Sequence, residues 1–451
     1  MLAATSLDAQ ATAQNRTVLV DRLDSIVRNA MEVKTAGIQV AVVKGRDTLL
    51  MKGYGIADAE DSIGVTPQTV FKIGSVTKQF TSAAIMQLIE QGKLTLDDTL
   101  GKFMPNAPRH WHRVTIFQLL NHTSGIPSLT DVGPKAGPAL MMGMKRDSIF
   151  ELLRGDSLMF PPGKGFYYNN TGYILLGMLV EQLSGKTYKQ YLEGMVAPLG
   201  LTQTSYCGGR EIIRHMANGY DRQGSVLINA SPNNMETPFS AGSMCSTARD
   251  LVKWGHALST GKVVSAASFR TMTTPVKFSK SFPMTYGFAL TADTIGSLTT
   301  VQHGGNINGF SSHLFTVPSE SLYVAVNINV SGAPAPIIAQ EIARAILGKP
   351  RTVLAARDEP ITQAERALFV GKYSIGIPTG ARREFVVGEQ DNHLTLIPPG
   401  QSPLVLERYG KQWFAVKGRP TQRILFEMEG EKVTGIMLDQ GVRPLIGVKV
   451  Q

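Results

Sequence analysis

Two β-hairpin patterns, one near each end of a long central stretch, constrain the fold of this 451-residue chain more than any other feature. Residues 38 to 56 read IQVAVVKGRDTLLMKGYGI, two β-rich runs around a glycine-containing turn, and residues 311 to 328, SSHLFTVPSESLYVAVNI, repeat that form. Between them the pattern turns helical. QFTSAAIMQLIEQG puts Phe80, Ala84, Ile85, Leu88 and Ile89 on one stripe and ends at Gly92. Residues 94 to 238 mix helical runs such as YILLGMLVEQLSG with Pro/Gly-rich loops, and APIIAQEIARAILG forms a helix after the second hairpin. The expected fold class is therefore α/β: one antiparallel sheet built from both hairpins, flanked by helices, with a helix-rich insertion.

The character changes after Gly348. KPRTVLAARDEPITQAE is a polar, Pro-bearing connector, and eight short β-rich runs follow it: GKYSI, REFVVGEQ, HLTLIP, PLVLER, QWFAVKG, RILFEME, VTGIMLD and LIGVKV. Runs of that spacing predict a small antiparallel barrel or sandwich. The expected organisation is a disordered start or signal-peptide remnant over 1–16, a main domain over 17–348, a linker over 349–366 and an all-β unit over 367–451.

Composition excludes several function classes. The net charge is +10, but the basic residues are scattered, with no Lys/Arg run and no aromatic–basic alternation that would track a nucleic acid. No apolar run is long enough to span a membrane. The N-terminus, MLAATSLDAQATAQ, contains A-T-A before Gln14 in the manner of a secretory cleavage site, without the basic start and apolar run of a complete signal; the reading leans to export over a cytoplasmic start. Cys207 and Cys245 lack zinc-site spacing and fit either a disulfide or two buried thiols.

Chemistry enters at FKIGSVTKQF, residues 71 to 80, where Ser75 precedes Lys78 by three positions at the passage from an extended segment into a helix. There the serine hydroxyl lies near helical N–H groups and their partial positive charge. The lysine follows one turn later on the same face. A serine becomes nucleophilic when a neighbouring base takes its proton, and a partly desolvated lysine can be that base. Alone, the pair also fits an N-cap serine and a surface lysine. A second copy, Ser259 to Lys262, follows a helical run and has Gly261 where a helix stops, so it reads as a helix end.

Two further segments add matching chemistry. FPPGKGFYYNNTGYILLG, residues 160 to 177, is a Tyr/Asn-rich loop entering an apolar helix. A tyrosine near positive charge can carry protons, and an asparagine can orient the lysine or bind a substrate amide. VQHGGNINGFSS, residues 301 to 312, is a strand entering a glycine-rich stretch that lets backbone approach a ligand and leaves an amide free for an oxyanion. Turn chemistry and an ordinary loop would also account for these two segments.

The three segments together resemble the serine β-lactamase and penicillin-binding protein-like superfamily, for which Ser-x-x-Lys is a signature. The resemblance is to the branch of class C β-lactamases, D,D-carboxypeptidases, D-aminopeptidases and family VIII esterases. It runs in order from Asp21 to Leu347 through TIFQLLNHTSGIP (115 to 127), PPGKGFYYNNTGY (161 to 173), APLGLTQT (197 to 204) and AGSMCSTARDLVKW (241 to 254).

The resemblance implies Ser75 as the acylated nucleophile and Lys78 as the helix lysine. The Tyr-x-Asn motif has two registers here, Tyr167/Asn169 and Tyr168/Asn170. The family frame F-x-Y-S-N-x-G-Y aligns Phe166, Gly172 and Tyr173 and selects Tyr168 and Asn170, leaving Asn169 where serine is usual. His303, Gly304 and Gly305 stand where β-lactamases carry Lys-Thr-Gly and many peptidase and esterase relatives carry His-x-Gly. The implied oxyanion donors are the backbone N–H groups of Ser75 and Asn306. No metal and no organic cofactor is implied.

A histidine in the third motif weakens the permanent positive charge that would hold a β-lactam carboxylate. The expected function is therefore a serine hydrolase cutting amide or ester bonds of a small-molecule or peptide substrate, foremost D-amino-acid-containing peptides, and periplasmic or secreted. A family VIII-type carboxylesterase, a weak β-lactamase, a transacylase or a non-hydrolysing penicillin-binding sensor would use the same residues. The terminal β-rich unit resembles the lipocalin-like barrel appended to many such hydrolases, which implies a cover for the active-site mouth or a docking surface.

Overall fold

Ile38 pairs with Ile328, and the antiparallel ladder continues to Lys44 with Leu322, so the first hairpin is zipped onto the last strand of the second. The computed structural model describes residues 2–34, 36–131, 141–143, 145–277, 284–349, 361–376, 382–439 and 445–450. Its central sheet has seven strands, in the spatial order Ile63–Gly64, Asp47–Asp58, Gly37–Lys44, Leu322–Ile328, Phe310–Val317, Leu298–Ile307 and Thr291–Ile295. The two hairpins share one sheet, as their patterns predict. The glycine-rich stretch around Gly304 lies inside a strand, because glycines there let the ladder run against other backbone.

Both faces of this sheet are covered, which is why its central strands read as nearly continuous apolar runs. Val40, Val42, Val324 and Val326 face the helices Leu2–Lys34 and Ala335–Leu347, which contribute Leu23, Val27, Ile338 and Ile342. Ala41, Leu314, Tyr323 and Ala325 face the other side, where Phe80 of helix Thr77–Glu90 stacks on Trp254 of helix Ala248–Ser259 at 3.9 Å. The helix-rich insertion fills out that larger core.

Residues 2–16, expected as a disordered start or signal remnant, are the opening turns of a 33-residue helix. Ala, Leu and Gln favour the helix, and the packed turns around Leu23 and Val27 anchor its far end.

A small three-stranded sheet, in the order Phe71–Lys72, Met244–Ser246 and Ser205–Tyr206, joins the segment leading to Ser75 to the middle of the chain. Beside it, Cys207 and Cys245 form a disulfide, which decides between the two readings of the cysteines.

The eight terminal runs close into an eight-stranded antiparallel barrel, with Gly371–Gly376 pairing to Leu445–Lys449. Helix Gln363–Phe369 packs against it. Phe369 stacks on Phe426 at 4.6 Å, Arg366 pairs with Glu389 at 2.5 Å, and Thr362 caps the helix in a reciprocal box with Glu365. Residues 361–366 were expected in the linker, and this packing assigns them to the barrel. The connector stretch 350–360 lies outside the described residues. Ile446 on the last strand packs against the cluster of Phe166, Tyr168, Val276 and Tyr286 in the main domain.

His313 lies buried on strand Phe310–Val317, with Nε2 2.9 Å from Gln302 Oε1 on the neighbouring strand. Burial lowers its pKa to about 3, against about 6.5 in an unfolded chain. Between these values the unfolded chain binds the extra proton and the folded one does not. The associated stability is complete above pH about 6.5 and is lost as pH falls, at up to about 1.4 kcal/mol per pH unit. We expect the thermal midpoint to drop from pH about 6.5 downward and to drop less steeply in His313→Gln. Equal slopes for the two proteins would remove His313 from the acid response.

Candidate active site

Lys78 organises the site. It sits in the first turn of helix Thr77–Glu90 with 0% of its surface exposed, and a buried amine needs acceptors for its protons. Nζ donates to Ser75 Oγ at 3.0 Å, to Asn170 Oδ1 at 2.7 Å and to the Ala241 carbonyl at 2.7 Å. Ser75 itself lies in the 3₁₀ turn Gly74–Val76 that leads into the helix, and it is half-buried at the cleft surface. The helix is tied to the segment carrying Ala241 by Thr77 Oγ1, which accepts from Met244 N–H, and by Thr81, whose hydroxyl donates to the Ser240 carbonyl.

Asn170 is held so that its carbonyl oxygen faces Lys78. Its Nδ2 donates to Thr130 Oγ1 at 2.9 Å and its backbone N–H to Ser128 Oγ at 3.2 Å. Asn169 turns the other way and caps helix Asn170–Ser184, accepting from Gly172 N–H, while its amide donates to the Ile126 carbonyl. The departure from serine at this position is thus an N-cap exchange between two good capping residues. Tyr168 lies with its ring centroid 4.8 Å from Lys78 Nζ, so the register Tyr168/Asn170 is the one that meets the lysine. Tyr167 is buried beside it, and its N–H donates to the His122 carbonyl.

The third segment meets the turn Gly74–Val76 edge-on. Strand Thr291–Ile295 pairs with Leu298–Ile307 only as far as Gln302, which frees the edge beyond it. Pairing with the next strand closes at Ile307 with Phe310, and antiparallel alternation then turns the N–H of Asn306 toward the free edge. Two glycines make the contact possible. A Cβ on Gly305 would lie 1.9 Å from the Ile73 carbonyl oxygen, and one on Gly74, which has φ of +48°, would lie 3.0 Å from the backbone of Asn306. Ser312 Oγ donates to that same Ile73 carbonyl at 2.7 Å. The backbone around Gly74 and Asn306 is thereby brought into contact at the cleft.

His303 is 2% exposed and does not line the cleft. Its Nε2 lies 2.9 Å from Tyr286 Oη and its Nδ1 2.6 Å from the Gly304 carbonyl. Burial, and then the charge of Lys78, push its pKa down to about 3. Of the expected substrate-binding residues, Asn170 faces the cleft, Gly304 and Gly305 set backbone geometry, and His303 is turned into the wall. The cleft has a volume of about 560 Å³ and is bordered by Ser75, Thr130, Asn170, Asn233, Asn306 and Asn308. A larger groove, about 1470 Å³, runs between residues 103–109 and 145–154 and holds none of this constellation.

Sequence reasoning missed the Ala241 carbonyl, His122 and Tyr286. Ala241 opens AGSMCS and His122 lies in NHTSG, so both motifs were visible without roles. Ser259 Oγ is 3.1 Å from Tyr323 Oη at the end of its helix, and Gly261 follows with φ of +79°, so the second Ser-x-x-Lys copy is the helix end expected of it.

This fold and site define a serine hydrolase of the β-lactamase-like kind. The chain belongs to the beta-lactamase family, whose model matches residues 23–347. Protein flp of Staphylococcus aureus (strain MRSA252) is 28% identical over 342 residues, which are 73% of this chain and 67% of that protein. The octameric penicillin-binding protein homologue from Pyrococcus abyssi superimposes with a TM-score of 0.65 at 26% identity, covering 95% of this chain and 99% of that one. A D-stereospecific amidohydrolase from Streptomyces sp. gives a TM-score of 0.63 at 26% identity, over 72% of this chain and 97% of that one.

The Gly305 contact is testable. Gly305→Ala must push Ile73 or the strand aside and displace the Asn306 N–H, and where such an N–H serves an oxyanion its loss typically costs about 10²–10³-fold in turnover. We expect a loss of about that size in turnover and in the rate of covalent serine labelling, with the protein still folded by circular dichroism. Labelling at the parental rate would show that the strand need not touch the nucleophile turn.

Proposed function

We propose that this protein hydrolyses amide or ester bonds of D-amino-acid-containing compounds through an acyl-enzyme on Ser75. The observation that carries the proposal is the placing of Ser75 Oγ, Asn170 Oδ1 and the Ala241 carbonyl around Lys78 Nζ. With one proton removed, the amine keeps two N–H groups for Asn170 Oδ1 and the Ala241 carbonyl and turns its lone pair to the Ser75 hydroxyl. Ser75 Oγ then attacks the substrate carbonyl carbon while its proton passes to Lys78, with Tyr168 beside it as the second proton carrier. The tetrahedral oxyanion lies between the N–H groups of Ser75 and Asn306. Its collapse breaks the bond to the leaving group, which takes the proton. Water then attacks the ester, and Ser75 recovers its hydrogen as the acid leaves.

Substrate choice follows from charge. A neutral, buried His303 supplies no cation for a β-lactam carboxylate, which favours amidase, peptidase or esterase action. Likeness to a D-stereospecific amidohydrolase supports the D-amino-acid part of the reading. The disulfide supports an oxidising compartment, periplasmic or extracellular. Titration of two free thiols in unfolded protein freshly isolated from its native cells would overturn that placement.

A labelled fluorophosphonate should add to Ser75 and not to Ser259, and Ser75→Ala should abolish the label with the fold retained. Lys78→Ala and Tyr168→Phe should each lower turnover of a D-amino-acid amide by about 10²–10⁴-fold. Tyr167→Phe should change it far less. A Ser75→Ala variant that still hydrolyses the amide would end the proposal.

A further inference from the structure

Behind Tyr168, three side chains from distant parts of the chain form a closed hydrogen-bonded row. Tyr286 Oη lies 3.1 Å from His122 Nε2 and 2.9 Å from His303 Nε2. Backbone groups fix the outer ends. The N–H of Asn169 donates to His122 Nδ1 at 3.0 Å, and the carbonyl of Gly304 lies 2.6 Å from His303 Nδ1. An amide N–H can only donate and a carbonyl can only accept, so each proton in the row has one place. His122 carries its hydrogen on Nε2 and gives it to the tyrosine oxygen. Tyr286 gives its own hydrogen to His303 Nε2, and His303 carries its hydrogen on Nδ1.

The row is built into the wall. His122 adopts φ of +63°, a strained setting for a residue other than glycine. Tyr286 is held by Val276 N–H, which donates to its carbonyl, and by Gly287, where a Cβ would lie 2.2 Å from the Met272 carbonyl oxygen. The Tyr168 ring lies against this row, 4.4 Å from the His122 ring and 6.2 Å from that of His303 between centroids.

We infer that Tyr286 is a positioning residue for the active site: its hydroxyl, clamped between two imidazoles, keeps both in one neutral tautomer and seats His303 beside Tyr168 with Nε2 turned from the cleft. Adding a proton to His303 at Nε2 would point it at the Tyr286 hydrogen. Adding one to His122 at Nδ1 would point it at the Asn169 N–H. The titratable and charged groups facing His303 are Tyr286, Tyr168, Lys78 and His313, and those facing His122 are Tyr168, Tyr173 and Tyr286. Burial raises Tyr286 well above the ordinary tyrosine value, so it stays a donor. Turnover through Ser75 puts a positive charge on Lys78, and a second cation on His303 would oppose that step. The kinetic consequence rests on the proposed hydrolase mechanism; the tautomers do not.

The experiment is nitrogen-15 histidine NMR on the full chain, with His122→Gln and His303→Gln used only to assign the signals, together with kinetics of Tyr286→Phe. We expect neutral Nδ1–H His303 and Nε2–H His122, both unchanged from pH about 8 to about 5. In Tyr286→Phe, His303 should lose its single tautomer or begin to titrate in that range. The variant's kcat should fall about tenfold or more, with KM little changed and a new acid limb in the kcat profile. The opposite tautomer in the parent, titration of parental His303 above pH about 5, or a Tyr286→Phe variant with parental tautomers and kcat would each overturn the inference. Should the variant fail to fold, the parental tautomers alone decide. The expected tautomers in a protein unreactive toward fluorophosphonate would sink the hydrolase reading and leave the lock standing.

Discussion

A lysine with no exposed surface can persist only where the protein replaces the water it has lost, and the region around Lys78 is arranged to do so. Its acceptors come from three separate places: the turn before its own helix, the start of helix Asn170–Ser184, and the carbonyl of Ala241 in the turn Phe239–Ala241. Each is secured in turn. Asn170 is gripped by Ser128 and Thr130, and Ser240 Oγ donates to the carbonyl of Tyr173. The helix-rich insertion is therefore more than a cover for the sheet. It delivers two of the three oxygens that make a buried amine tolerable, and the position of Ser75 follows from that arrangement.

The sheet supplies what the insertion cannot. Among the described residues, the strand edge beyond Gln302 has no strand partner, and alternation turns the N–H of Asn306 toward it. Bringing that edge against the turn Gly74–Val76 requires removing two Cβ atoms, at Gly74 and Gly305, and the Ser312 hydroxyl then secures the Ile73 carbonyl. The ladder from Ile38–Ile328 to Lys44–Leu322 matters to chemistry for this reason, because it fixes the meander carrying Asn306 to the strands that lead into Ser75.

Local patterns made much of this legible. Alternation gave both hairpins and all eight barrel strands, a 3.6-residue stripe gave helix Thr77–Glu90, and the frame from Phe166 to Tyr173 selected Tyr168 and Asn170 over their neighbours. What stayed hidden has a common physical reason. The Ala241 carbonyl has no side-chain signature, and Tyr286 lies 164 residues from His122, so nothing short-range ties them. The role of His303 was half visible. Its identity argued against a fixed cation, but only the Tyr286 contact shows that it faces the wall. The first turn of helix Gln363–Phe369 reads as connector because polar residues around a Thr-x-x-Glu cap resemble a linker, although the helix packs Phe369 into the barrel core.

The charge balance of the site bears on recognition. With His303 neutral and buried, Lys78 is the one group among Ser75, Lys78, Tyr168, Asn170 and His303 able to carry positive charge near neutral pH, and its bonds are directed inward to Ser75, Asn170 and Ala241. Among the described residues, the cleft border instead offers amide and hydroxyl groups: Asn170, Asn233, Asn306, Asn308 and Thr130. Asn308 Nδ2 donates to the Ser231 carbonyl at 3.0 Å, which ties the hairpin tip to another segment of the border. Selection in such a cleft depends on hydrogen bonds made or left unmade. A site of that kind discriminates against a substrate that lacks one matching group, because a polar atom that the bound substrate covers then goes unpaired. His303 fits that pattern: buried and turned to the wall, it adds no charge to the cleft.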